Sequence, residues 1–201
     1  MRWLEWIQTL TTVTQRGLAY SKDPYDRENY ELLRALTAEM ASQGTTLAQA
    51  EIHALLSAES GYPTPKVDVR AVVPKDGALL LVKETQDGRW ALPGGWADLG
   101  VSPAQMAVKE VREEAGLEVR ATRLLGVFGK QQDSRSVFSV YKLIFECELL
   151  GGEPRTSHET CDVGWFARDA LPELSLHRTH PRHLEAVFAR LDDRGLPAFF
   201  E

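Results

Sequence analysis

Apolar positions recur at helical spacing through the first sixty residues and then switch to alternation. Trp3, Trp6, Ile7, Leu10, Val13 and Leu18 lie near a 3.6-residue period and predict an amphipathic helix over residues 2–20 with an aromatic-heavy buried stripe. Asp23-Pro24 punctuates it. Tyr30, Leu33, Leu36 and Met40 predict a second helix from about Arg27 to Ala41. A third, from about Leu47 to Leu56, follows the break at Gly44-Thr45-Thr46, where either threonine could cap it. Three short helices bury little by themselves, so they pack on the rest of the chain or pair with a copy of themselves.

Proline and glycine in Ser60-Gly61-Tyr62-Pro63-Thr64-Pro65 mark a linker, because helical periodicity gives way to strand periodicity there. This divides the chain into a helical segment, residues 1–62, and a domain over 66–201. Val67, Val69, Ala71 and Val73 alternate with Asp68 and Arg70, as a half-buried strand does. Lys75-Asp76-Gly77 is a hairpin turn with a return strand from Ala78 to Lys83, and Gln86-Asp87-Gly88 is a second turn before Trp90-Ala91-Leu92. Ala121–Phe128, Phe138–Leu149 and Val163–Phe166 read as further strands, Gly151-Gly152-Glu153-Pro154 as a turn, and Asp169–Pro172 as a turn or cap. Pro181–Leu191 reads as a closing helix with Leu184, Val187, Phe188 and Leu191 on its apolar face. Strands arranged around a helix and closed by another predict an α+β fold, a mixed sheet sandwiched by helices.

One stretch carries chemistry. In Leu92–Val119 a double glycine, Gly94-Gly95, permits a sharp bend and a close approach of backbone to a ligand. Ser102, Pro103 and Gln105 have the spacing of a capped helix start, and Gly116 is suited to end that helix. Between them Glu110, Glu113 and Glu114 fall at i, i+3 and i+4 on one face, while Ala104, Ala107, Val108, Val111 and Ala115 gather on another arc. At about 6 Å each like-charged pair costs roughly 0.7 kcal/mol in water and roughly 3 kcal/mol at an effective dielectric of 20. A cation or basic partners would compensate, and hard carboxylate oxygens select Mg²⁺, Mn²⁺ or Ca²⁺. A solvated acidic face is the ordinary alternative.

Composition narrows the class. A chain of 201 residues with 43% hydrophobic content can build a sizeable core. A net charge of −6 and a pI near 5.5 argue against non-specific nucleic-acid binding as its main task. Arg2, Glu5 and Arg16 interrupt the first apolar pattern, so it is expected to be neither a signal peptide nor a membrane span, and the protein is expected in the cytoplasm. Cys147 and Cys161 lack metal-ligand spacing and fit reduced thiols.

Gly95, Glu110, Glu113, Glu114, Gly116 and Leu117 resemble the Nudix box, G-x5-E-x7-R-E-U-x-E-E-x-G-U with U an apolar residue. The resemblance extends in general layout over residues 66–191 and implies the Nudix fold. It also implies hydrolysis, with Mg²⁺ or Mn²⁺, of a nucleoside diphosphate linked to another moiety. By position, Glu110, Glu113, Glu114 and the main-chain carbonyl of Gly94 would be the metal ligands, and Glu113 or Glu114 could double as general base. Two positions depart from the pattern: Val101 stands in place of the first glutamate and Lys109 in place of the arginine. In the family those side chains commonly pair. The two departures therefore read as one change, which leaves Lys109 free to reach solvent where a buried arginine could not. WLEWIQTL, DPYDRENYELL and LPGGWADLG look like a bacterial Nudix subgroup with a helical extension, associated with CDP-choline and ADP-ribose hydrolysis; the extension makes a homodimer the expected assembly.

Outside the box, Glu159 lies in a loop where some family members place a mobile catalytic or metal-binding glutamate; an exposed loop acid is the alternative. Arg70 could contact phosphate or ribose, or form an ion pair with Asp68. Trp96 could flank the site, and Lys130, Gln131 and Arg135 could meet the substrate's variable half. His177, His180 and His183 drift off a common face, with Pro181 interrupting them, and read as surface residues. Two competing activities are carried forward, removal of a 5′ pyrophosphate from RNA or exonuclease action, and non-enzymatic sensing of a nucleotide metabolite. The acidic balance weighs against the first and the retained carboxylates against the second.

Overall fold

The computed structural model describes residues 2–44, 48–129 and 139–201. The chain forms two compact units, the first ending at Pro65 and the second beginning at Lys66.

The first unit holds three helices, α1 (Arg2–Tyr20), α2 (Pro24–Ser42) and α3 (Gln49–Ala58). Their shared core is Ile7, Ala38, Ala41, Ile52 and Leu56, with Trp3 packed against it. Helix α2 starts three residues before the expected position because Asp23 is an N-cap: its carboxylate accepts from the amides of Tyr25 at 2.9 Å and Asp26 at 3.1 Å, and Pro24 occupies the first helical position. The threonines expected to cap α3 lie outside the described residues. The cap position itself is Ala48, whose amide donates to Glu51 at 2.8 Å.

The second unit is built on two sheets. One has the order β5-β1-β7-β6-β9, with β1 (Lys66–Val72), β5 (Gly94–Trp96), β6 (Leu117–Phe128), β7 (Val140–Gly152) and β9 (Phe199–Phe200). β1 runs parallel to β7, whereas β5 and β6 run antiparallel to their neighbours β1 and β7. In the other sheet β2 (Pro74–Lys75), β3 (Ala78–Glu84) and β4 (Trp90–Ala91) pair in sequence and β8 (Thr160–Ala167) pairs with β3. Among the described residues, two α-helices, α4 (Pro103–Ala115) and α5 (Pro181–Asp192), and a 3-10 turn at Arg168–Ala170 complete the unit.

Alternation along the strands sorts side chains into two cores. Val69, Ala71, Val73, Leu80 and Val82 join Met106, Ala107, Val111 and Ala115 of α4. Val72, Leu79, Leu81 and Ile144 join Leu184, Val187 and Phe188 of α5. Each fully buried side chain of this size contributes about 1.5–3 kcal/mol, which seats α4 and α5 on opposite sides of the strands between them. β6 begins at Leu117, earlier than the expected Ala121, because register shifts near Val119, Ala121 and Leu124 break the period-two pattern that would have revealed it. Gly151 and Gly152, expected in a turn, instead pair with Glu118 and Leu117 at the end of β7. Among the described residues no helix is long and apolar enough to cross a membrane.

Candidate active site

Helix α4 begins and ends where its caps dictate. The Ser102 hydroxyl accepts from the Gln105 amide at 3.3 Å, the Gln105 carboxamide accepts from the Ser102 amide at 3.1 Å, and Gly116 closes the helix at φ 71°. Glu110 and Glu114, four apart, are buried on the inner flank at 8% and 4% exposure, whereas Glu113 is half exposed on the outer flank. The three carboxylates therefore divide into an inward pair and an outward third, rather than sharing one face.

The inward pair meets the double glycine. The Gly94 amide donates to Glu114 Oε2 at 2.8 Å. A Cβ on Gly95 would lie 3.0 Å from Glu110 Oε1, and one on Gly94, which has φ 146°, would lie 2.0 Å from the Val69 carbonyl oxygen. Only a bare backbone fits between β1 and the two acids.

Arg70, on β1, lies beneath this turn. Its guanidinium donates to both Asp68 oxygens, at 2.8 and 3.2 Å, and to the Leu92 carbonyl at 3.1 Å. Lys142 Nζ reaches the same Asp68 at 2.7 Å. Arg70 is 4% exposed. Of the two roles weighed for it, the ion pair with Asp68 is present.

Lys109, expected to reach solvent, is one-third exposed on its side chain, and it pairs there with Asp98 at 2.6 Å and lies 3.6 Å from Glu113. Val101 packs against the core that seats α4. Asp98 thus supplies, three residues earlier, the negative partner that Val101 does not.

Glu159 is exposed, 3.3 Å from His158, but its backbone is fixed: its carbonyl accepts from the Thr85 amide at 2.8 Å and its amide donates to the Ser157 hydroxyl at 3.1 Å. Next to it Thr160 donates to the Glu114 carbonyl at 2.8 Å, which ties the start of β8 to α4. Sequence reasoning missed Glu84, at the end of β3, which is buried at 5% and held by Arg178 at 3.1 Å. Arg178 also donates to Gln86 at 2.6 Å and reaches Asp87 at 3.4 Å. A lone acid ending the apolar run Leu79–Val82 was the available signal for Glu84; nothing local pointed to Arg178.

Trp96 is 54% exposed at the end of β5. Lys130, Gln131 and Arg135 lie outside the described residues. Of the three histidines expected at the surface, His177 is exposed there, but His180 is half-buried and His183 is not at the surface at all. His180 caps α5, accepting from the Arg182 amide at 3.3 Å, and His183 is fully buried, accepting from the His180 amide at 3.2 Å. Burial, reinforced by Lys142, pushes the His183 imidazole down to about 3.

Charge around the acids is unbalanced. Burial raises Glu110 to about 7, with Arg70 and Lys109 opposing and Glu113 and Glu159 adding. Burial raises Glu114 to about 8, with Arg70 and the Gly94 amide opposing and Glu110 and Glu84 adding. Glu84 is also raised by burial, partly offset by Arg178 and Arg70. For Asp68 the same burial penalty is outweighed by Arg70 and Lys142, so its carboxyl lies below the usual range. Among the described residues no three acidic, histidine or cysteine side chains form a ready-made cage. A hard divalent ion such as Mg²⁺ does not need one, since one or two carboxylates together with water and substrate phosphates suffice. Glu110 and Glu114, desolvated beside a cradle that any Cβ would fill, fit that requirement.

Comparison with known proteins agrees with this layout. Residues 1–56 match the Nudix_N family model, described as a UDP-X-like N-terminal oligomerisation domain, and residues 63–188 match the NUDIX domain. A Bacillus subtilis (strain 168) protein named "Putative ADP-ribose pyrophosphatase YjhB" is 41% identical over 189 residues, covering 93% of this chain and 91% of its own. A crystal structure of a UDP-X diphosphatase superposes with a TM-score of 0.65 at 34% identity, over 100% of this chain and 98% of that one. An ADP-ribose pyrophosphatase from Streptococcus suis 89-1591 superposes with a TM-score of 0.63 at 38% identity, over 69% of this chain and 100% of that one.

Proposed function

This chain belongs to the Nudix hydrolase family and is a pyrophosphohydrolase, and we propose that it cleaves, with Mg²⁺ or Mn²⁺, the pyrophosphate of a nucleoside diphosphate joined to a second moiety. The observation that carries the cation requirement is the pair of buried carboxylates, Glu110 and Glu114, facing the Gly94-Gly95 turn. ADP-ribose leads the candidate substrates, supported by the name of the B. subtilis relative that aligns with nearly the whole chain. CDP-choline and UDP-linked derivatives follow, the latter because the structural relative that spans the full chain is a UDP-X diphosphatase. Cleavage gives a nucleoside monophosphate and a phosphorylated partner.

Glu110, Glu114 and the Gly94 carbonyl would hold the cation, with Glu113 joining if its side chain leaves Lys109. When bound, the ion neutralises pyrophosphate oxygens, polarises the attacked phosphorus and lowers the pKa of water. Glu159, exposed and close enough to Glu110 and Glu84 to raise both, would accept the proton of the attacking water. The chain's remaining task is positioning, with β1 beneath the turn that opens β5 and α4 carrying the acids. Trp96, Lys130 and Arg135 are assigned to the variable half of the substrate. The N-terminal unit pairs with a copy of itself, a homodimer supported by the oligomerisation domain that it matches.

A panel of ADP-ribose, CDP-choline, UDP-sugars, dinucleoside polyphosphates and 5′-triphosphorylated RNA, assayed with Mg²⁺ and with Mn²⁺, tests this. Turnover confined to nucleoside diphosphate derivatives and abolished by a chelator is expected. Turnover confined to RNA would overturn the substrate class, and turnover undiminished by the chelator would overturn the cation.

A further inference from the structure

Three charged side chains under the site have no place in the chemistry above. Asp68, Arg70 and Lys142 are exposed by only 7%, 4% and 1%. Adjacent register positions of β1 and β7 place Asp68 beside Lys142. Burying two cations on one carboxylate is costly, and well-packed apolar residues in such places are often equally stable or more so.

The contacts run in one direction, toward the glycine turn. Lys142 Nζ holds Asp68 Oδ2 at 2.7 Å. Asp68, fixed on that side, presents both oxygens to the Arg70 guanidinium, at 2.8 and 3.2 Å. The remaining fork of Arg70 donates to the Leu92 carbonyl at 3.1 Å, and the Leu92 amide donates to the Thr179 hydroxyl at 2.8 Å. One residue on, the Pro93 carbonyl accepts from the Ala71 amide at 2.8 Å, and then the Gly94 amide donates to Glu114 at 2.8 Å. Every residue from Leu92 to Gly94 is thus pinned through its backbone, and Lys142 is the far end of the chain of contacts that pins the first.

We infer that Lys142 and Asp68 are positioning residues for the pyrophosphohydrolase site: by locking the Arg70 guanidinium they set the Leu92–Gly94 backbone against Glu114, and so the geometry in which the cation is held. The inference rests on the assignment of Glu110 and Glu114 as cation ligands. Positioning makes a prediction opposite in sign to that of charge alone. Removing a buried positive charge near a cation site would, by Coulomb's law, tighten cation binding. Loosening the backbone that supports the ligands weakens it, typically by about 10–100-fold when such outer partners are lost.

The test is calorimetric titration of the full chain with Mn²⁺ alone, at neutral pH, on wild type, Lys142→Met and the double variant Asp68→Asn/Lys142→Met. The double variant carries the same net charge in this trio as wild type and leaves no unpaired carboxylate, so it also serves should the single variant fail to fold. Expected is an affinity about tenfold weaker in both variants, with kcat reduced and KM nearly unchanged on the best substrate. Unchanged or tighter Mn²⁺ binding in folded Lys142→Met would overturn the inference, even if its melting temperature fell. Recovery of wild-type affinity in the double variant would overturn it as well, because the cation would then be held fully without the Lys142–Asp68 contact or the Asp68 carboxylate. Wild type that bound no Mn²⁺ would instead remove the cation assignment, and the inference with it.

Discussion

The Gly94 amide donates to Glu114 Oε2 at 2.8 Å, joining the turn before α4 to the last turn of α4 through one carboxylate oxygen. In the proposed site the other oxygen would hold the cation. Glu114→Gln keeps an acceptor for Gly94 but removes the charge. Its melting temperature should stay within about 2–4 °C of wild type, a change of about 1 kcal/mol. Its kcat should fall by about 100-fold or more, since even outer partners of a metal ligand cost about 10–100-fold. Steady-state kinetics beside a thermal melt check both, and undiminished turnover would remove Glu114 from the site.

Gly94→Ala addresses the same junction from the backbone. Its Cβ would sit 2.0 Å from the Val69 carbonyl oxygen at φ 146°, so β5 must move off β1. Strain of this kind costs about 1–3 kcal/mol. Calorimetry should therefore show a melting temperature lowered by several degrees, together with lost activity. A variant that melted and turned over like wild type would mean that the close approach does not matter.

Lys109 and Asp98 are exposed by 34% and 51% on their side chains, so their 2.6 Å pair stabilises little, at most about 1 kcal/mol. In the proposed site its role would be to draw Lys109 away from Glu113, leaving that carboxylate available to the cation. Asp98→Asn should leave the melting temperature nearly unchanged and lower kcat several-fold. Adding Val101→Glu to that variant should restore activity by offering Lys109 a second acid. Failure of Val101→Glu to rescue, measured as kcat, would break the link between this pair and catalysis.

Much of this site was legible because its signals are local. Ser102, Gln105 and Gly116 bracket α4 within fifteen residues, and the spacing of Glu110 and Glu114 follows from helical pitch alone. That spacing put Glu113 on the same face as the other two, and its split from them was not visible; nor was the Lys109 beside it being held by Asp98, which the loop between β5 and α4 brings alongside. Asp68 with Lys142, and Glu84 with Arg178, meet across strands and loops far apart in sequence, and no periodicity encodes such encounters. Asp23-Pro24 is a different case: an N-cap followed by proline at the first helical position is readable as a start, but the apolar period that reveals α2 begins only at Tyr30. β9, two residues long, is too short for any pattern to reveal.

In the N-terminal unit Leu32, Leu33, Leu36 and Met40 of α2 are 60%, 37%, 46% and 39% exposed, and Trp6 of α1 is 57% exposed. Apolar side chains exposed on this unit at such spacing suit the dimer surface proposed for it. The wild-type protein should therefore run as a dimer by light scattering. Leu32→Glu/Leu36→Glu should run as a monomer with its helical content retained. Wild type that stayed monomeric at high concentration would reject the dimer.

Proton linkage gives a test of the cation site that needs no substrate. Glu110 and Glu114 have folded-state values of about 7 and about 8, above the ordinary 4.5. A carboxyl raised on folding binds protons more tightly when folded, so its contribution is fully present below about 4.5 and is lost as pH rises through 7 and 8. His183, lowered to about 3, has the opposite sign: its contribution is present above about 6.5 and is lost as pH falls. Lys142, lowered to about 8, adds stability only as pH rises beyond that value. Between about pH 6.5 and 8.0, therefore, the two glutamates dominate. In chelator the melting temperature should fall by a few degrees across that window, and Glu114→Gln should flatten the fall. Millimolar Mg²⁺ or Mn²⁺ should raise the melting temperature more at about pH 8.0 than at about 6.5, because the cation replaces the protons that the carboxylates give up. A stabilisation by cation that was equal at both pH values, or that persisted in Glu114→Gln, would place the ion somewhere other than between these two acids.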